Sequence, residues 1–184
     1  MKIKYNSPVI LTYTIISILV MLLASFLGRG FVHTFFTSPV RPEFLNVLFY
    51  LKLITYIAGH ANWGHLTGNF VMILLVGPLL EEKYGSGKLL EVILITAVAT
   101  GLLNMFLFSG AVIGGSGISF MLILLASFSN IKSGEIPLTF IIIAGLFLGN
   151  EIVASLKPDN ISQFGHIAGG IIGAGYGFLR IGKK

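Results

Sequence analysis

Uncharged apolar runs, broken by short polar stretches, fill most of the chain, and several are long enough to cross a membrane. The first covers residues 9–27, 19 positions without a charge, and follows Lys2 and Lys4. A cleaved leader has a shorter apolar core and a small-residue cleavage site. Ala24-Ser25-Phe26 is a poor one, so this run predicts a first transmembrane helix. Residues 28–50 mix many Phe with Arg29, Arg41, Glu43 and the breakers Pro39 and Pro42. That pattern predicts an interfacial first loop with short helices. A second span is expected at about 62–80, closed by a turn at 81–88. No formal charge occurs over 92–131, too long for one helix. Ser109-Gly110 and Gly114-Gly115-Ser116-Gly117 divide it into a third span, about 90–108, and a short fourth, about 117–129. The fourth makes about 20 Å of helix against a hydrocarbon core of roughly 30 Å. It is therefore expected to begin part-way down, reached by a loop whose backbone must be satisfied by protein or trapped water. A fifth span is expected at 136–154 and a sixth at 161–179.

Composition sharpens this picture. The 184 residues are 55% hydrophobic and 10% charged, with a mean hydropathy of +0.93. A soluble domain carries about 25% charged residues, so a soluble enzyme is excluded. The expectation is an all-α, polytopic membrane protein of six transmembrane helices, folded as one domain over 1–184. With no cysteine, disulfides, thiolate metal sites and a cysteine nucleophile are excluded. The net charge of +5 does not indicate nucleic acid, because the basic residues flank the apolar runs. There they set orientation. With the N-terminus inside, the inner segments hold Lys2, Lys4, Lys83, Lys88, Lys132, Arg180, Lys183 and Lys184. The outer ones hold Arg29, Arg41, Lys52 and Lys157, so both termini are expected in the cytoplasm.

Polar groups at membrane depth mark candidate sites. Ser116 joins a glycine-rich loop to a helix N-terminus, where unpaired amides are potential oxyanion donors. A plain N-cap in a Gly-Ser turn explains the same residues. His166 heads the sixth span, on the edge of a small-residue stripe formed by Gly165, Gly169, Gly173 and Gly177 and widened by Gly170 and Ala174. Such a stripe admits a close helix neighbour. Packed against the helix carrying Ser116, it would supply the base that a serine nucleophile needs; otherwise His166 only packs. His65 and Asn69 share one helix face and can donate to an oxyanion or to a neighbouring helix. His60 and His65 have no carboxylate near them in sequence and no HExxH run occurs, which argues against zinc. Asp159 is the sole aspartate, so a two-aspartate protease is excluded. Glu151 reads as an outer-interface residue, with a proton or ion role as the other option.

From Leu53 to about Gly177 the residues resemble the rhomboid family of intramembrane serine proteases. His60-Ala61-Asn62-Trp63-Gly64-His65-Leu66-Thr67-Gly68-Asn69 is similar to its second-helix entry with the HxxxN element. Gly77-Pro78-Leu79-Leu80-Glu81-Glu82-Lys83-Tyr84-Gly85-Ser86 resembles its GxxLExxxGS turn. Gly114-Gly115-Ser116-Gly117 matches GxSG, and His166-Ile167-Ala168-Gly169-Gly170-Ile171-Ile172-Gly173 matches HxxGxxxG. The resemblance implies Ser116 as nucleophile and His166 as general base in a dyad. It implies an oxyanion site from Asn69, His65 and the Ser116 amide, with Gly114 and Gly117 shaping the loop and Phe120 beneath the histidine. Met121, Leu122 and Leu124 are bulkier than is common in the family's fourth helix, a difference the glycine stripe with Gly169 and Gly173 compensates. The Trp-Arg pair of many relatives' first loop is replaced by Tyr50-Leu51-Lys52.

The function implied is cleavage of transmembrane protein substrates within the lipid bilayer, near the outer face of a bacterial-type plasma membrane, with no metal, cofactor or nucleic acid. A catalytically inactive rhomboid-like protein that binds or chaperones membrane clients is the alternative. A small transporter is a further one, disfavoured by the lack of a charged pair or inverted repeat.

Overall fold

The computed structural model describes residues 4–107, 110–128 and 163–181, with Leu138, Ile141, Ile142, Gly145, Leu146, Gly149 and Val153. The expected fifth span is represented by those scattered positions alone, all helical, and Glu151 and Asp159 lie outside the described residues. The described residues form an all-helical bundle. Its helices are α1 Pro8–Leu27, α2 Arg29–Phe35, α3 Val47–Thr55, α4 Trp63–Tyr84, α5 Ser86–Leu107, α6 Ser116–Phe128 and α7 Gln163–Ile181, with a 3-10 turn at Tyr56–Ala58. Among the described residues, α1, α4 and α5 are long and apolar enough to cross a membrane. Their 20, 22 and 22 residues give about 30–33 Å of helix, the thickness of the hydrocarbon core. The side chains they expose, such as Leu19, Leu23, Val71, Leu75 and Leu79, suit a lipid surface.

The expected turn at 81–88 is shorter than the charges suggested. Glu81, Glu82, Lys83 and Tyr84 stay in α4, and the chain reverses at Gly85 alone, with φ +86. A side chain there would be strained, whereas glycine adopts this conformation freely. Ser86 already opens α5.

Glu81 is part of the packing. It is 3% exposed, and its carboxylate accepts the backbone N–H of Val9 at 2.9 Å, the N–H of Ile10 at 3.0 Å and the Ser86 hydroxyl at 2.7 Å. The first amides of a helix lack partners within it. Pro8 removes one of these donors from α1, and the N-cap Ser7 makes no side-chain cap. Glu81 supplies the missing acceptors from another helix, its charge meeting the positive end of α1. Beside this cap, Ile10 is fully buried and packs into the space that Gly77 leaves on α4.

The core lies between α1, α4, α5, α6 and α7, with Ile10, Phe70, Ile73, Val92, Met121, Leu125 and Ala174 among its buried members. α7 packs most extensively on α6 and α5, and α4 packs on α6 and α1. The Tyr176 hydroxyl donates to Glu91 at 2.7 Å, tying α7 to α5. The small residues of α7 do not all face α6 as a single stripe. A β-carbon at Gly169 would overlap Thr100, and one at Gly173 would overlap Thr96, both on α5. Gly170 faces α6, where a β-carbon would sit 2.5 Å from Phe120 Cδ1 and 3.2 Å from the Gly117 carbonyl. The stripe is split because α7 sits in the groove between two helices. Gly169 and Gly173 admit α5, Gly170 admits α6, and Gly177 lies against Leu125 of α6 and Val92 of α5.

The first loop holds α2 and α3 joined by residues 36–46. Asn46 caps α3, its side chain accepting the Leu48 N–H at 3.0 Å. Phe49 and Leu53 of α3 bury against Met105 of α5.

Candidate active site

Ser116 is the first residue of α6 and is 1% exposed. The loop leading to it is held on both sides. Ser38 and Val112 exchange two bonds: the Ser38 N–H donates to the Val112 carbonyl at 2.9 Å, and the Val112 N–H donates to Ser38 Oγ at 2.8 Å. One step further, the Gly114 N–H donates to the Tyr56 carbonyl at 3.0 Å and the Gly115 N–H donates to His60 Nε2 at 3.2 Å. The 56–60 segment thus acts as a splint for the loop, accepting the amides of the buried Gly114 and Gly115. Tyr13 of α1 braces the splint, its hydroxyl donating to the Ile57 carbonyl at 2.8 Å and its ring packing 5.0 Å from that of Phe70.

His60 is 2% exposed. Its Nδ1 lies 3.3 Å from the Ala58 carbonyl and its Nε2 accepts from Gly115. That pairing is satisfied by the neutral ring with its proton on Nδ1. In the sequence His60 stands out only at the head of the second-helix entry motif and as a metal ligand that the lack of a nearby carboxylate argues against. Its bond to Gly115 crosses 55 residues of chain, and a separation of that length carries no local signal.

Gly114 has φ +105, which favours glycine. Space demands it as well: a β-carbon there would lie 2.7 Å from His65 Cε1, 2.9 Å from His65 Nε2 and 3.4 Å from Asn69 Nδ2. Hence His65 and Asn69, one turn apart on α4, both meet the loop two residues before Ser116. Asn62 starts α4 by accepting the His65 N–H on its side chain at 2.9 Å, which fixes where that face begins. Asn69 is 6% exposed, and its Nδ2 has no hydrogen-bond partner among the described residues. Behind it, the Ser119 hydroxyl reaches the Asn69 carbonyl at 3.3 Å and the Gly115 carbonyl at 3.1 Å, joining α4 to the first turn of α6.

Phe120, 3% exposed, packs against Gly170 of α7. His166 lies in the first turn of α7, and its side chain is outside the described residues. Met121 is fully buried in the main core, and Leu124 packs against that core partly buried. No group of three or more His, Cys, Asp or Glu is arranged to hold a metal among the described residues.

A family model for the Rhomboid domain matches residues 49–183. The chain belongs to the rhomboid family. Among curated proteins it is similar to Rhomboid-related protein 1 of Caenorhabditis elegans, with 25% identity over 139 residues. The match covers 70% of this chain but 39% of that relative, so the chain spans well under half of the relative's length. The matched region of the family model begins within α3 and takes in both the Gly114–Gly117 loop and α7. Membership makes this rhomboid-type chain an integral membrane protein.

Proposed function

We propose that this rhomboid is an intramembrane serine protease that cuts transmembrane segments of other membrane proteins with a Ser116–His166 dyad. The observation that carries the proposal is the enclosure of Gly114 by His65 and Asn69 immediately ahead of Ser116. Ser116 Oγ attacks the scissile carbonyl. His166 takes the proton and returns it to the leaving amine, and water then hydrolyses the acyl-enzyme. His166 precedes Gly170 by four residues, so its backbone lies one turn nearer the start of α7 on the face that meets Phe120 and Gly117.

Asn69 supports the oxyanion assignment. A buried donor without an acceptor costs about 1–3 kcal/mol, and a negative oxygen developing beside Gly114 would supply the acceptor. Donors fixed in advance where charge develops stabilise the transition state selectively. His65 and the Ser116 amide complete the set in this reading.

The full arrangement we infer has six spans in one domain over 1–184. α6 is the short fourth span, both termini face the cytoplasm, and the membrane is a bacterial-type plasma membrane. Cleavage of a single-span substrate by the purified chain, absent in Ser116→Ala, tests the function. A chain that binds such clients without reacting with a fluorophosphonate probe would instead be an inactive client-binding relative.

A further inference from the structure

A cleft of about 690 Å³ opens between the end of α1, α2 and the start of α4, and His60, Ile113, Trp63, Arg29 and His33 line it. It falls in the size range of ligand sites. Its inner wall is shared with the candidate active site. His60 borders the cleft and accepts the amide of Gly115, the residue before Ser116, while Ile113 borders it from the same loop. Its outer wall is basic. Arg29 and His33 are four residues apart on α2, hence on one face, and both are exposed. Arg29 is exposed and makes no salt bridge among the described residues. Trp63 is 44% exposed at the mouth, with an aromatic body suited to the membrane–water boundary.

We infer that this cleft binds the substrate chain beside its scissile bond and selects an acidic side chain there through the Arg29 guanidinium. The inference rests on the proteolytic reading above and names its substrate class: membrane proteins with Asp or Glu just outside the apolar segment, within a few residues of the cut. An extended chain advances about 3.3 Å per residue, so a segment lying in the cleft would pass from the Arg29 wall to the loop before Ser116. The apolar lining from Met21, Ala24 and Ile113 suits the neighbouring side chains. Guanidinium pairs with carboxylate through two parallel hydrogen bonds, geometry that an amide or a lysine on the substrate does not reproduce.

The experiment uses single-span synthetic peptides in detergent, carrying Glu, Gln or Lys at each of about five positions outside the apolar segment. Cleavage is followed with wild type, Arg29→Gln and Arg29→Glu. Binding of the same peptides is followed by fluorescence anisotropy with Ser116→Ala, alone and combined with either Arg29 change. The expected result is a preference for Glu over Gln of roughly tenfold at one position. It falls to about one in Arg29→Gln and turns toward Lys in Arg29→Glu, in both assays. Cleavage without any Arg29-dependent acidic preference overturns the cleft assignment and leaves the protease reading standing. Acidic-selective binding that depends on Arg29, with no cleavage by wild type, upholds the cleft and removes the protease reading. Loss of phosphatidylglycerol-vesicle affinity in Arg29→Gln, with peptide selectivity unchanged, makes the cleft a lipid headgroup site and overturns the inference.

Discussion

His60 Nε2 accepts the backbone N–H of Gly115 at 3.2 Å, which makes an imidazole from the first loop the support of the peptide unit leading into Ser116. An acceptor here keeps a buried amide satisfied and fixes the turn that presents the serine.

Replacing that acceptor tests its role. His60→Ala should orphan the Gly115 amide, at about 1–3 kcal/mol, and lower kcat by tenfold or more with a smaller change in KM. His60→Gln, whose side-chain oxygen can accept the same bond, should recover part of the loss. Turnover and melting temperature of the purified variants check this. Equal activity in His60→Ala and wild type would leave His60 as packing alone.

Glu81 should govern stability and leave turnover alone. Glu81→Ala removes an acceptor for Val9, Ile10 and Ser86. Hydrogen bonds to a charged group contribute about 1.5–3 kcal/mol each, so the loss should reach about 3 kcal/mol or more. Glu81→Gln should fall between the two. Thermal unfolding in detergent measures this, with kcat of the folded fraction expected to stay near wild type.

The α7 glycines should separate by face. Gly173→Ala meets Thr96, and overpacking of this kind costs about 1–3 kcal/mol. Gly175 has open space around its β-position, so Gly175→Ala should be neutral or stabilising by up to ~1 kcal/mol, from helix propensity. Pairing Gly173→Ala with Thr96→Gly should restore part of the loss, whereas changes at Phe120 should not. Rescue by a substitution on α6 instead would contradict the α5 contact.

Asn69→Ala should lower kcat by about 10²–10³, the usual effect of losing one oxyanion donor. The melting temperature should not fall, since Nδ2 has no partner to lose among the described residues. An early-melting variant with normal turnover would return Asn69 to helix packing.

Much of the bundle was legible in the sequence because hydrophobic length sets a span. The expected starts of the first and second spans each fall within one residue of α1 and α4, and the helix expected from residue 117 begins at Ser116 as α6. The Gly114–Gly117 run was legible because a turn and a helix start both leave local marks. The contacts that organise the site were not. Charges at Glu81, Glu82 and Lys83 read as a turn, since nothing nearby shows that α1, 71 residues earlier, leaves amides needing a carboxylate. The spacing of Gly169 and Gly173 shows that a helix approaches closely, but which helix does so depends on how α7 seats between α5 and α6. The support that His60 gives the loop was not legible, because its partner is a backbone amide far along the chain.

The most direct measurement is cleavage of a single-span substrate by the purified chain, run beside active-site labelling with a fluorophosphonate. Wild type should cleave and be labelled at Ser116. Ser116→Ala and His166→Ala should each be folded, unlabelled and inactive, and the double variant should be no worse than either, because the two residues act as one unit. Substantial cleavage by folded Ser116→Ala would contradict the assignment.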